Sequence, residues 1–414
     1  MNNLNFLVDV LKESPVFKTL EKNVKPGRTV CASGLSTINK SNIIYALCRL
    51  KGVTAFCLAS DEKEAQTLCN DLSCMGLRAY VYPVRDFNFL DFQSRSHEYE
   101  HARLKVLLKL INHECDVAIA CVDAAAQLTV PKNVLEQSVI EFEEGRELSL
   151  EKATKALTLL GYERFDAVEG SGQFSLRGGI LDFFMPDSDY PVRCEFWGDE
   201  ITDLSYFDIE TQRRFKKADK ITLSPSTEIV IEDRAALADK IEHKAKLLRS
   251  KNSTKAKEKL FSEAELIRSG AMIANADKFI NQIYDKPESL FDYLDRNTLV
   301  FASEFTAIQE RGKSMDFISN ETLMQGFEDG TLCRGFDRFA LTFNECTEFL
   351  QSHGTIVLEN FVHGSMPIKL SEIISFSTKQ LSAWGGSYKQ LKEDVDGLFT
   401  PESKGVIFAG TERA

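Results

Sequence analysis

From residue 28 to about 130 short apolar runs alternate with stretches of helical pattern. The apolar runs are RTVCASG, VTAFCLAS, LRAYVYP and CDVAIACV. Between them lie NIIYALCRLKG, DEKEAQTLCNDLSCMG and EYEHARLKVLLKLINHE, with Gly52 and Gly76 placed to end helices. Strands that alternate with helices in this way predict parallel βαβ units and a doubly wound α/β domain. Near residue 134 the pattern changes. One helix, SLEKATKALTLLG, is followed by about five strands separated by Gly, Pro and Asp turns as far as residue 224, which predicts a small mixed domain with an antiparallel sheet.

Residues 232 to 293 read as helix, with apolar residues at i, i+3 and i+4 in ALADKIEHKAKLL and AELIRSGAMIANADKFI. Between these, KNSTKAKEK fits a loop or a solvated helix face. Strand-like runs return after residue 297 as TLVFAS, GTIVLEN and IISFSTKQ, and a helix, SYKQLKEDVDGLF, and a strand, KGVIFAG, close the chain. Thr411 looks like the cap of a helix whose body is missing, so the chain is expected to be a piece of a longer one. The expected division is 1–130, 134–224, 225–365 and 366–414, the last being the start of a further α/β segment. No internal repeat is visible.

With 414 residues, 43% of them hydrophobic and 27% charged, the chain has the composition of a soluble globular protein of two or three domains. Its net charge of −12 argues against a dedicated nucleic-acid binder, whose footprint is basic. Seven of the ten cysteines (Cys31, Cys48, Cys57, Cys69, Cys74, Cys115 and Cys121) fall inside the first apolar strand and helix patterns, with no CxxC pair or Cys/His ligand spacing. They read as small buried hydrophobes of a reducing cytoplasm. The start, MNNLNFLVDVLKESP, has no basic region or cleavage site, and no apolar run approaches the length of a membrane span, so a cytoplasmic protein without membrane contact is expected.

The most informative stretch is 173 to 214, QFSLRGGILDFFMPDSDYPVRCEFWGDEITDLSYFDIETQRR. Side chains alternate between the two faces of a strand, so Val192, Cys194 and Phe196 share one face of Pro191 to Trp197 and Arg193, Glu195 and Trp197 the other. The first set reads as core. The second does not, because an unpaired buried Arg is expensive. The turn Met185 to Tyr190 folds the strand that carries Arg177, Gly178 and Gly179 back onto Pro191 to Trp197 as a hairpin, which brings Arg177 near Arg193. Two readings fit this spacing. In one, Arg177, Arg193 and Trp197 form an interface centre, where Arg and Trp are enriched. In the other, each Arg pairs with a carboxylate (Asp182, Glu195, Asp199 or Glu200) and Trp197 caps a small cluster.

A second candidate lies between the first strand and helix. Gly34-Leu-Ser-Thr-Ile-Asn39-Lys40-Ser41 has the position and nearly the spelling of a phosphate-binding loop, G-x-x-x-x-G-K-[ST], with Asn39 in place of the second Gly. A Cβ there restricts the positive φ and close approach that Gly allows, although Asn tolerates left-handed backbone better than most residues. A working site also needs a carboxylate for Mg²⁺ at the end of another strand, for which Asp116 and Asp123 are the nearest candidates. His97 and His101, spaced i, i+4 in a charged helix start, read as a solvated face, and no HExxH or GxSxG occurs.

The stretch SLRGGILDFFMPDSDYPVRCEFWGDEITDLSYFDIETQRR resembles the pattern RGGILDIFPP…PVRIEFFGDEIESIRYFDxxTQRS of the bacterial transcription-repair coupling factors (Mfd), and is similar to the matching domain of the excision-repair protein UvrB. LGYERFDAVEGSGQF, GLSTINKS and YPVRDFNFLDF fit the same family, strongly over residues 28 to 224, and ISFSTKQLSAWGGSYKQL fits weakly. The resemblance implies an N-terminal UvrB-like module: a degenerate P-loop (RecA-like) parallel-sheet domain with an inserted small α+β domain like domain 2 of UvrB, and further α/β and helical segments. It implies that the inserted domain binds the damage-recognition ATPase UvrA through Arg177, Arg193 and Trp197, the last standing where the family usually has Phe. It further implies that Gly34, Asn39, Lys40 and Ser41 no longer hold nucleotide, so the module needs no cofactor. ATP, Mg²⁺, RNA polymerase and double-stranded DNA would be engaged by other parts of a full-length protein, one of which also masks the UvrA-binding face. UvrB's tyrosine-rich hairpin would fall at 82 to 100, where only Tyr82 and Tyr99 are tyrosines. The competing expectation is an ATP-dependent DNA translocase or helicase fragment with a working site at Lys40 and Ser41.

Overall fold

The structure is a computed structural model that describes residues 5–85, 97–137, 140–248, 253–271, 276–361, 366, 368–378, 387–398 and 400. In chain order the strands are β1 Val30–Ser33, β2 Ala55–Ala59, β3 Ala79–Tyr82, β4 Val117–Cys121, β5 Ile140–Glu143, β6 Glu163–Arg164, β7 Gln173–Arg177, β8 Ile180–Phe183, β9 Val192–Trp197, β10 Glu200–Phe207, β11 Arg214–Lys217, β12 Lys220–Leu223, β13 Leu299–Ser303, β14 Thr355–Glu359 and β15 Glu372–Ser375. The fold is mixed α/β, with a parallel sheet and a separate small sheet.

The parallel sheet runs β15-β1-β14-β13-β2-β4-β3. Its central strands, VCAS, AFCLA and VAIAC, are buried at every position, as strands covered by helices on both faces must be. Period two divides them cleanly between two cores. Phe56, Leu58, Ala118 and Ala120 face one side with Phe305 and Phe343, and Ala55, Cys57, Val117 and Ile119 face the other with Ile44, Leu47 and Leu68. The expected helices are present at Thr37–Lys51, Glu62–Cys74 and Glu98–Ile111, and the first ends on Gly52 in left-handed backbone.

β1 and β2 are consecutive in the chain but not neighbours in the sheet. β13 and β14 lie between them, so residues 299–359 build the same sheet as the first 130. β15 comes from the segment expected to open a further unit, yet it pairs in parallel with β1, Val30 opposite Glu372 and Ser33 opposite Ser375.

The small sheet runs β11-β10-β9-β8-β7-β6, antiparallel except for the short β6–β7 pair. One face packs Leu181, Phe183, Val192, Cys194 and Leu204 against Ala153 and Leu157 of the helix Leu150–Leu159. A fully buried ion pair, Arg103 Nε to Glu228 Oε1 at 2.6 Å, ties the chain's exit from this region to the helix Glu98–Ile111. Two helices, Arg234–Leu247 and Ser253–Arg268, pair with each other, and the second includes most of KNSTKAKEK. Trp384, the strand expected at KGVIFAG, Thr411 and most of the stretch 82 to 100 lie outside the described residues.

Candidate functional site

The stretch that carries Arg177 is two strands rather than one. Gly178 and Gly179 form the turn that separates β7 from β8. Gly178 takes φ +63°, a left-handed conformation that other residues adopt at a cost. At Gly179 a Cβ would stand 2.7 Å from the Phe196 carbonyl oxygen, so only glycine lets this turn lie against β9. The Arg-Gly-Gly run is thus explained by backbone geometry, with the arginine at the last position of β7.

β8 lies between the two arginine-bearing strands, and Asp182 on β8 is in register with Arg193 on β9. Asp182 joins both. Arg177 Nη2 donates to its Oδ2 at 2.8 Å, while Arg193 donates from Nε to Oδ1 at 2.7 Å and from Nη2 to Oδ2 at 2.8 Å. The carboxylate is 1% exposed, the Arg193 side chain 12% and the Arg177 side chain 50%. Two guanidiniums thus share one carboxylate. The bidentate Arg193 pair has the fork geometry that guanidinium favours.

Arg193 is held on further sides. Its Nη1 donates to the Gln212 backbone carbonyl at 3.1 Å, its Nη2 to Gln212 Oε1 at 3.1 Å, and its guanidinium carbon lies 4.3 Å above the centre of the Phe207 ring. The hydrogen bonds to Asp182, above all, hold its pKa above the usual arginine value. Gln212 itself sits at φ +57°, uncommon for a residue with a side chain. The arginines therefore pair with a carboxylate, as the second reading expects, and both do so through the same Asp182.

Trp197 does not cap a cluster. It is 82% exposed, four positions along β9 from Arg193 on the same face, and ends the strand before Gly198. A tryptophan so exposed contributes little to folding. Nearby, Glu195 pairs with Arg214, which also reaches Asp203 at 3.1 Å.

The loop from Gly34 is built differently. The helix starts at Thr37, so Asn39, Lys40 and Ser41 lie within it and only three residues separate it from β1. The backbone N–H groups of Gly34 and Leu35 donate to the carbonyls of Asn360 and Glu359, at 3.2 and 3.1 Å. Gly34 has φ +79°, and a Cβ there would collide with the Phe376 carbonyl oxygen at 2.1 Å, so the glycine serves the approach of the chain beyond β15. Lys40 Nζ donates to Glu304 Oε1 at 2.6 Å, Ser303 Oγ at 2.8 Å and Glu64 Oε1 at 3.2 Å. Burial would lower its pKa, but Glu64 and Glu304 outweigh that and raise it. The Ser41 hydroxyl donates to Asp71 Oδ2 at 2.9 Å, and the Asn39 amide to Ser36 Oγ at 2.8 Å.

The carboxylates expected near this loop are occupied elsewhere. Asp116 pairs with Arg78 and Asp123 with Arg311. The acid that meets Lys40 at the end of another strand is Glu304, which follows β13 and has φ +56°. Sequence reading missed it, although the run TLVFAS is followed directly by an acid, the pattern of a strand with a carboxylate just past its carboxyl end. Next to it Glu359 is fully buried, and burial, reinforced by Glu304, pushes its pKa up to about 7. The rings of His97 and His101 stack at 5.9 Å, and His97 bonds Glu100. Among the described residues no group of three His, Cys, Asp or Glu side chains could hold a metal ion, and no helix is long and apolar enough to cross a membrane.

Residues 140–229 match the family model of the UvrB interaction domain, and all three proposed contact residues lie inside that span. The chain is 26% identical over 416 residues to the transcription-repair-coupling factor of Bacillus subtilis, covering 97% of this chain and 35% of that protein. It is 22% identical over 420 residues to that of Staphylococcus aureus strain MRSA252 (99% and 35%) and 25% identical over 353 residues to that of Staphylococcus epidermidis strain RP62A (80% and 29%). The chain thus spans about a third of the length of the curated relatives it matches. Together these findings bear out the resemblance carried by the sequence: the chain is a relative of the N-terminal, UvrB-like module of the bacterial transcription-repair coupling factors.

Proposed function

We propose that this chain is the UvrA-recruiting module of a transcription-repair coupling factor, linking removal of a stalled RNA polymerase to nucleotide-excision repair, and that it performs no catalysis itself. The observation that carries the proposal is the outer face of the small sheet, within the span that matches the UvrB interaction domain. There a tryptophan 82% exposed shares a face with an arginine pair, of which Arg177 keeps half its side chain in solvent. A rigid aromatic beside guanidinium groups fits a partner surface that is partly apolar and carries a carboxylate. Contacts with RNA polymerase and double-stranded DNA, and ATP-driven translocation with Mg²⁺, fall to other regions of the full-length relatives.

The alternative, a working nucleotide site, draws support from Glu304, which stands where a Mg²⁺ carboxylate would be needed. Against it, the donors that would hold phosphate are committed: the N–H groups of Gly34 and Leu35 to carbonyls, and Lys40 to two carboxylates and a hydroxyl. We therefore read residues 34–41 as a phosphate loop turned into a structural joint.

Calorimetric titration of the folded chain with purified UvrA tests the proposal. Saturable heat with a defined stoichiometry is expected. A chain that is folded by circular dichroism yet gives no heat would overturn it.

A further inference from the structure

We infer that Asp182 is a positioning residue for partner binding, and that Arg193 acts as a strut while Arg177 and Trp197 make the contacts. This rests on the reading of the small sheet as a recruitment face. Of the two guanidiniums, only Arg177 has surface to give. Arg193 spends four hydrogen bonds on Asp182 and Gln212, lies over Phe207 and is 12% exposed. Arg177 makes one bond, through one Nη2, and presents half its side chain to solvent.

The linking atom is Asp182 Oδ2, which accepts from both arginines at 2.8 Å. Asp182 is almost fully buried on a strand flanked by both arginine strands, so its position is fixed by the sheet. A flexible Arg177 would have to be ordered on binding. With one end of its fork tied to Oδ2, part of that ordering is already done in the free chain, leaving its other N–H groups to meet a partner carboxylate. The left-handed Gln212 belongs to the same device: its backbone carbonyl and side-chain oxygen both face Arg193, which keeps an uncommon conformation in place beside the site.

A double-mutant cycle on the whole chain, with purified UvrA as probe, separates positioning from a general loss of structure. Asp182→Asn keeps the shape and removes the charge that orders both guanidiniums. Its affinity is expected to fall at least tenfold in the parent and less than threefold once Arg177→Ala is present, because there is then no Arg177 to position. Equal losses in the two backgrounds would mean that Asp182 supports only the fold, and an unchanged affinity in the parent would mean that Arg177 needs no positioning; either overturns the inference. Gln212→Ala, which leaves the Asp182 bridge in place, guards against a misfolded Asp182→Asn. Its affinity should drop by less than that of Arg177→Ala, and a larger drop would contradict the assignment of Arg193 as a strut. Trp197→Ala tells the two proposals apart. If it binds as tightly as the parent, the recruitment face itself is wrong. If it loses affinity while Asp182→Asn does not, only the positioning role fails.

Discussion

At the end of β1, Lys40 has its three donors taken by Glu64, Ser303 and Glu304 and is closed off from solvent, whereas on the outer face of the small sheet Arg177 gives one bond to Asp182 and leaves half its side chain in water. Both places set basic side chains against carboxylates. In the first, every donor of the lysine is consumed by the fold, so the group can only stabilise or destabilise this chain. In the second, the buried carboxylate is shared and a cation and an aromatic ring remain available. Residue type alone does not separate the two places; the number of donors left over does.

The largest expected effect of breaking this contrast is at the joint. Lys40→Ala strands Glu64 and Glu304 without their cation, and loss of one partner of a buried pair costs ~3–5 kcal/mol. Urea denaturation should show that loss, with UvrA affinity unchanged under conditions where the variant is folded. A loss below ~1 kcal/mol would mean that the lysine is not structural.

Trp197→Ala should do the reverse. Affinity for UvrA falls by ~2 kcal/mol or more, about thirtyfold, since exposed aromatics at interface centres have that scale. Stability stays within ~0.5 kcal/mol, as for surface substitutions in general. A melting temperature that drops along with affinity would show that the ring packs within the chain.

A smaller effect follows from Glu359. Its folded pKa, pushed up to about 7 by burial and by Glu304, exceeds the ordinary carboxylate value, so the folded state holds a proton that the unfolded chain releases. The corresponding stability is fully present below the usual carboxylate pKa and is lost as pH rises through about 7. Glu359→Gln should flatten the fall in stability between pH 5 and 8 seen in denaturant titrations; the same slope in parent and variant would contradict the assignment.

The smallest expected effect is none at all. Mg²⁺-ATP should leave the melting temperature unchanged, whereas a competent site at a hundred times its dissociation constant would add ~2.7 kcal/mol.

Much of this contrast was legible beforehand, and its gaps have physical causes. The four strands and three helices between residues 28 and 130 were readable because each apolar run is bounded by its own turn or cap, such as Gly52. The face shared by Arg193, Glu195 and Trp197 follows from alternation along one strand, which local sequence contains. The turn at Gly178 and Gly179 reads as strand because a two-residue hairpin leaves Leu176 and Ile180 close on either side. Membership of β13, β14 and β15 in the first sheet depends on pairings across hundreds of residues, which no local pattern records. The same holds for Glu304, 264 positions from the lysine it meets. The long helix Phe305–Asp329 was hidden for another reason: most of its second half is exposed, with Phe317, Ile318 and Met324 in solvent, so it lacks the clean apolar stripe of a core helix.

The most direct test of the central claim is hydrogen exchange of the whole chain with and without UvrA, followed at the turns that flank the proposed contact residues. Slower exchange at 177–180 and 197–200, with no change at 34–41, is the result this account predicts. Protection at 34–41 without protection at those two turns would contradict it.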